Sequence, residues 1–298
     1  MDHERGRIGT PAPHGAGRLS AWTATAAGAA RAAGELAASD ALAATIEALD
    51  RYPLVAFGEE HRNEAQHALL RALVRDPSFP AVADDVVVEF GNARYQRLVD
   101  RYVNGARVPL GEVQKAWLQT TQRPTRVWAA PMYRQFFQTV RTVNRSLPRA
   151  SRIRVVLGDP PIDWRKVRTQ DDYERWIGRR TEHYISVVER QVLAKGHHAL
   201  LIAGGAHLLR MPGEGQNETA VLERAHPGSV FTVFPFAGFV GDTDERRPLS
   251  ERLRAEAPAP WLAPLRGTWL GDVPAEAAAL WEPGTLADRA DAFLYLGS

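Results

Sequence analysis

Five short apolar runs rich in β-branched residues, at 54–57, 86–90, 153–157, 199–203 and 230–234, punctuate the chain. No other feature narrows the fold as much. A continuous apolar run has no polar face, so a strand made from it must be covered on both sides. The stretches 64–74, 95–103, 132–147 and 172–195 carry apolar residues at helical spacing. Strands alternating with amphipathic helices predict an α/β fold, with a mostly parallel central sheet and helices on both faces. The stretch 287–296, ADRADAFLYL, predicts a short last helix and a final strand. In contrast, 241–283 loses the alternation, gains Pro and Trp, and reads as irregular covering structure.

A chain of 298 residues suits one large domain of this kind. Residues 1–19, rich in Gly, Pro and His, are expected to form a disordered tail, and 20–298 a single α/β domain. The Ala-rich stretch 20–48 predicts one or two helices, with Ser39-Asp40 placed to cap the second.

Composition removes several function classes. Cysteine is absent, so disulfides, thiolate nucleophiles and zinc–thiolate sites are excluded, and His, Asp and Glu remain as metal ligands. The formal net charge is +2, and the arginines are spread among acids without the basic stripe that nucleic acid needs. No apolar run approaches the ~18 residues of a spanning helix, and the first residues lack the apolar core of a secretion signal. The expected partner is a small-molecule substrate, with no nucleic acid and no membrane, in the cytoplasm.

In an open α/β sheet, ligands bind outside the carboxyl ends of the strands. The first strand runs into Gly58-Glu59-Glu60-His61, where Gly58 is expected to turn the chain sharply. The second carries Glu89 near its end and then Asn92. The third ends at Asp159, followed by Asp163 and Trp164, and the fourth ends in Gly204-Gly205-Ala206-His207. Glu89 interrupts a run of Val and Phe, so it needs hydrogen-bond partners or a shifted pKa. Within 172–195 an apolar stripe runs through Tyr173, Trp176, Ile177, Tyr184, Val187, Val188 and Val192. Arg180 falls inside the stripe, and His183 borders it. An arginine on a buried face must meet an acid or an anionic ligand, and an ion pair with Glu89 and a catalytic role are equally open.

Other candidates have plainer explanations. His67 reads as structural, and Tyr133, Phe136, Phe137 and Val140 as core. Asp84-Asp85 and His197-His198 lie at the opposite rim. Trp117, Trp128 and Trp164 occupy loops, where aromatic rings wall a pocket or pack a lid.

The segments AFGEEH, VVVEF and IAGGAH, in that order at strand ends, resemble the erythromycin esterase/ChaN-like/TIKI superfamily. The spacing of Glu59 and His61 is nearer the haem-binding ChaN-like branch, as is VVVEFGNARYQRLVDRYVNG. RRTEHYISVVERQVL is similar to the arginine-bearing helix of the esterase branch. LGDPPIDW fits neither and marks a divergent subfamily. The resemblance covers roughly 50–210 and implies one cleft bounded by Glu59, His61, Glu89 and His207.

Within such a cleft His61 is the expected general base, oriented by Glu59 or Glu89, with His207 or Arg180 stabilising an oxyanion or donating a proton. Asn92, Asp159, Asp163, Trp164 and His183 are the expected substrate contacts. The expected reaction is hydrolysis of an ester or lactone by directly activated water, without a metal. No G-x-S-x-G motif occurs to suggest a covalent nucleophile. Elimination or isomerisation of a natural product would use the same groups. No cofactor is expected from the residues, although the TIKI branch implies a divalent metal and the ChaN-like branch haem, for which Tyr95 and Tyr133 are nominal ligands.

Overall fold

The computed structural model describes residues 36–210, 217–238, 247–278, 280 and 283–297. The strands are β1 (Ser39–Asp40), β2 (Leu54–Glu59), β3 (Asp85–Asn92), β4 (Arg154–Asp159), β5 (Ala199–Gly204), β6 (Val230–Phe236), β7 (Trp261–Pro264) and β8 (Ala292–Tyr295). They form one sheet in the order β1-β7-β8-β6-β2-β5-β3-β4. Strands β2 to β6 and β8 pair in parallel, while β7 runs antiparallel to both β1 and β8. The fold is thus α/β with a mostly parallel sheet, as the apolar runs predict.

The longer helices are α1 (Ala41–Arg51), α2 (Glu64–Arg75), α3 (Gln96–Val103), α4 (Pro131–Ser146), α5 (Gln170–Ile177), α6 (Arg180–Gln191), α7 (Glu218–Ala225) and α8 (Arg247–Glu256). Among the described residues no helix is long and apolar enough to cross a membrane. Asp40 caps α1, its carboxylate accepting from the Ala43 N–H at 2.9 Å. The tail expected at 1–19 and the start of the Ala-rich stretch lie outside the described residues.

Two expectations are corrected. The stretch 172–195 is two helices, because the chain breaks at Gly178-Arg179. A capping box between Thr169 and Asp172 starts α5, Gly178 ends it, and Arg180 opens α6. The apolar stripe holds for α6, where Tyr184, Val187 and Val188 are buried, but Tyr173, Trp176 and Ile177 are only half-buried. The second correction falls in 241–283, whose described part includes α8 and the strand β7. That strand is four residues long and follows Pro258 and Pro260, so neither length nor alternation announced it.

Strand alternation sorts the core into two layers. Val55, Phe57, Val86, Val88, Phe90, Leu200 and Ile202 pack with α1, α2 and α4 on one face. Leu54, Ala56, Val87, Leu201 and Ala203 pack with Tyr184, Val187 and Val188 of α6 and Leu222 of α7 on the other. Each buried Val, Leu, Ile or Phe among them contributes about 1.5–3 kcal/mol. A further cluster of Phe234, Phe236, Trp261, Phe293 and Tyr295 seals the other end of the sheet.

The chain steps outward from β2 through β3 to β4, then returns with β5 between β2 and β3, and continues with β6 on the far side of β2. That reversal opens a crevice at the carboxyl ends of β2, β5, β3 and β4. The same alternation aims the carboxylates. Glu59 continues the Val55, Phe57 series toward α2 and α4, and Glu89 continues Val87 toward α6.

Candidate functional site

Glu59 is buried at the end of β2, where a carboxylate must be hydrogen-bonded. Its Oε2 lies 3.1 Å from His61 Nδ1, its Oε1 lies 2.6 Å from His67 Nε2, and the Tyr133 hydroxyl donates to Oε1 at 2.9 Å. Burial alone would raise its pKa. The bonds from His61 and His67, with their charges, outweigh that and hold it at about 2. An ionised carboxylate only accepts, so Nδ1 of His61 carries the proton and Nε2 is left free. Burial would lower the pKa of His61, but its bond to Glu59 and the charges of Glu59 and Glu89 raise it.

The imidazole of His61 is held from two sides. Trp128 packs edge-on against it, ring centroids 4.7 Å apart. On the other side it lies against Gly204, where an added Cβ would stand 3.0 Å from Cε1 and 3.2 Å from Nε2. Gly58, expected to make the turn after β2, instead lies within the strand, paired with Ala203. The left-handed residue is Arg62, with φ of 68°, and a second, Arg126, has φ of 54°. Such conformations cost about 1–2 kcal/mol each in non-glycine residues. They are held by specific ties. The Arg62 N–H donates to the Tyr133 hydroxyl at 3.1 Å, and its guanidinium donates to the carbonyls of Val127 and Arg126 at 3.1 and 2.9 Å.

Glu89 anchors the other half. Its Oε2 accepts from the Gly204 N–H at 2.7 Å, and its Oε1 pairs with the Arg180 guanidinium. His207 Nε2 lies 3.5 Å from Glu89 Oε1 and 3.4 Å from Arg180 Nη2. His207 Nδ1 donates in turn to Glu218 Oε1 at 3.0 Å. Burial would lower the pKa of His207, but the bond to Glu218 and the charges of Glu89 and Glu218 raise it. Two carboxylate–imidazole pairs, Glu59–His61 and Glu218–His207, therefore flank the Glu89–Arg180 ion pair.

Beside them lies a cavity of about 10 Å³, room for one water centre, lined by Glu89, Asp159, Arg180, Tyr184, His207 and Glu218. Burial pushes Asp159 up to about 7, despite hydrogen bonds from the Thr121 hydroxyl and, at 2.9 Å, the Thr121 N–H. Glu59, His61 and Glu89 also each offer a ligand atom, all within 4.8 Å of one another.

The rim thus gathers Glu59, His61, Glu89, Asp159, Arg180 and His207. Of the remaining sequence candidates, Asn92 is paired with Asp159 between β3 and β4, but among the described residues none of the four has a side-chain hydrogen bond to this cluster. Asn92 ties loops together, donating to the carbonyls of Gln119 and Ile162 and accepting from the Arg94 N–H. Asp163 pairs with Arg94 and Arg165. Trp164 donates to the carbonyls of Gln119 and Thr120, helping to fix the segment that presents Thr121 to Asp159. His183 has its charged neighbours, Arg190 and Glu182, on its own helix, and burial lowers its pKa.

His67, Tyr133, Glu218 and Thr121 complete the cluster. The sequence pattern of His67 and Tyr133 is that of structural and core residues. They are buried, yet they are also the groups that fix Glu59. Glu218 sits in the first turn of α7, where an acid normally complements the helix dipole and gives no further signal.

Residues 45–150 match the family described as haem-binding uptake, Tiki superfamily, ChaN. The chain resembles the ChaN-like superfamily. The matched segment holds Glu59, His61, His67, Glu89 and Tyr133, whereas Arg180, His207 and Glu218 lie beyond it. No curated protein matches the chain. Among solved structures, a protein from Bacillus cereus is 11% identical with a TM-score of 0.56, covering 86% of this chain and 91% of its own. A succinoglycan biosynthesis protein is 10% identical with a TM-score of 0.55, covering 85% and 90%. ChaN of Campylobacter jejuni, solved with cofacial haem binding, is 14% identical with a TM-score of 0.44, covering 67% and 87%. The first two share the fold of this chain.

Proposed function

We propose that the chain is an acid–base enzyme that hydrolyses an ester or lactone of a small molecule, with water as nucleophile. The observation that carries this is the Glu59–His61 pair, which leaves an unbonded Nε2 at the rim beside Glu89 and Gly204. In this reading Nε2 of His61 takes a proton from water as its oxygen attacks the carbonyl. The Arg180 guanidinium stabilises the oxyanion. His207, held by Glu218 and charged over a wider pH range than a free imidazole, donates its own proton to the leaving oxygen, and exchange with solvent then removes the proton from His61 and restores that of His207. The test is a panel of acyl esters and lactones. Hydrolysis is expected from the parent protein and a loss of at least about 10²-fold in His61→Gln. Undiminished hydrolysis by that variant would sink the mechanism.

Two other readings have an observation each. Glu59, His61 and Glu89 form a carboxylate–imidazole set that suits manganese, iron or zinc, and they would hold such an ion. The ion would supply Lewis acidity to the bound substrate. Haem is favoured by the matched family, but the hydroxyl of Tyr133 is committed to Glu59 and that of Tyr95 donates to Gln119 Oε1 at 2.6 Å. A haem ligated by either would first have to break those bonds. Chelator treatment, readdition of manganese or zinc, and a hemin titration followed by absorption separate the three readings on one sample.

A further inference from the structure

Trp128, the ring that packs on His61, also lines a separate pocket of about 250 Å³ with Trp117, Leu118, Gln122, Arg123 and Arg126. Three features of its wall bear on what it could hold. The indole N–H of Trp128 is buried and has no hydrogen-bond partner among the described residues. A buried donor left unpaired is costly, so this ring is the part of the wall whose packing a bound ligand would most readily alter. The guanidinium groups of Arg123 and Arg126 pair with no carboxylate among the described residues, and Arg123 instead lies over the Trp164 ring at 5.0 Å. Leu118 is the exposed large apolar side chain of the described surface, at 39%.

Two cations without a carboxylate partner among the described residues, beside an apolar and aromatic wall, specify a ligand that carries negative charge and has an apolar body. We infer that this pocket binds a small aromatic or aliphatic carboxylate. It is also tied to the catalytic rim. The guanidinium of Arg62, the residue after His61, holds the carbonyls of Arg126 and Val127. Resting on the hydrolase reading, a carboxylate bound here acts on the rim through Trp128, the ring packed on His61, and through the Arg126 and Val127 carbonyls that Arg62 holds.

The test uses phenylacetate and its neutral isostere phenylacetamide as probes, read by the indole ¹⁵N–¹H resonance of Trp128 in the full chain. The resonance is identified by its loss in Trp128→Phe. If that buried substitution does not fold, through-bond assignment of the parent replaces it. Phenylacetate is expected to shift the resonance saturably. Binding should weaken about tenfold or more for the amide, and likewise for phenylacetate on the surface double variant Arg123→Gln/Arg126→Gln. An unmoved resonance, or equal binding of acid and amide, overturns the proposal. The readout needs no turnover. Carboxylate binding without His61-dependent hydrolysis would remove the enzyme reading and leave the pocket. Hydrolysis without carboxylate selectivity would do the reverse.

Discussion

Strand β3 carries an acid, an imidazole and a guanidinium at each of its ends. At the start, Asp85 meets His197 at 2.8 Å and Arg154 at 3.3 Å. Near the end, Glu89 meets Arg180, with His207 at 3.5 Å. The residue types are the same, so type alone does not make a site. At the amino end one buried carboxylate is matched by one imidazole and one arginine. At the carboxyl end β2 adds Glu59 and His61, β4 adds Asp159, and α7 adds Glu218. The topology converges several strands there, and the surplus of titratable groups beyond simple charge pairing distinguishes that end.

Substituting the two ends separately gives the largest expected effect. Glu59→Gln and Glu89→Gln should each lower kcat/KM for ester hydrolysis by at least about 10², because one frees the imidazole and the other frees the guanidinium. Asp85→Asn should leave kcat/KM within about threefold, as surface and structural changes away from a site do. Initial rates on the best ester of the panel, with circular dichroism to confirm folding, decide it. If Asp85→Asn damaged turnover as deeply while folded, the contrast between the ends would be broken.

Acid stability sharpens the contrast, because the two buried acids shift in opposite directions. Glu59 is depressed from 4.5 to about 2, which corresponds to about 3 kcal/mol of stability. That contribution is complete above the unfolded value of 4.5 and is lost as pH falls toward 2. Burial outweighs the attraction of Arg154 and His197 at Asp85, and its pKa is raised. The stabilisation linked to its proton is complete below its ordinary 3.8 and is lost as pH rises through the raised value. In urea unfolding across the acid range, Glu59→Gln should flatten the loss of stability toward low pH, whereas Asp85→Asn should remove the loss on raising pH. A flattened acid limb in Asp85→Asn would contradict the assignment.

The sequence made much of this rim legible. Continuous apolar runs specify strands buried on both faces, and the rule that ligands sit beyond their carboxyl ends pointed to Glu59, His61, Glu89, Asp159 and His207. Arg180 was visible as a charge within an apolar stripe, even though the helix carrying that stripe is broken at Gly178-Arg179. What could not be read were contacts between elements far apart in sequence. His67 and Tyr133 reach Glu59 because α2 and α4 pack on the same sheet face, and each alone looks like an ordinary core residue. Asn92 closes β3 and Asp163 and Trp164 follow β4, as the rule requires, but their side-chain bonds turn them toward neighbouring loops. Alternation along β2 and β3 did contain one unused clue, that Glu59 and Glu89 must face opposite layers and so recruit different helices.

The smallest expected effect compares the two ends of β5, each marked by a glycine. Gly196, before the strand, has φ of +66°, and an added Cβ would meet nothing within 4 Å. Its requirement is conformational, so Gly196→Ala should cost about 1 kcal/mol of stability and leave hydrolysis unchanged. Gly204, at the strand's end, has φ of −51°, which any residue adopts, but its Cβ would press on the imidazole of His61 and lie 3.5 Å from Glu89 Oε2. Gly204→Ala should therefore keep most of its stability and lose about tenfold in kcat/KM, because a general base displaced by a few tenths of an ångström is poorly aligned with its water. Urea unfolding and initial rates on both variants form the crossed comparison. A Gly204→Ala protein that turned over normally would show that the imidazole does not depend on the backbone it lies against, and the Glu59–His61 pair would lose its claim to be positioned from both sides.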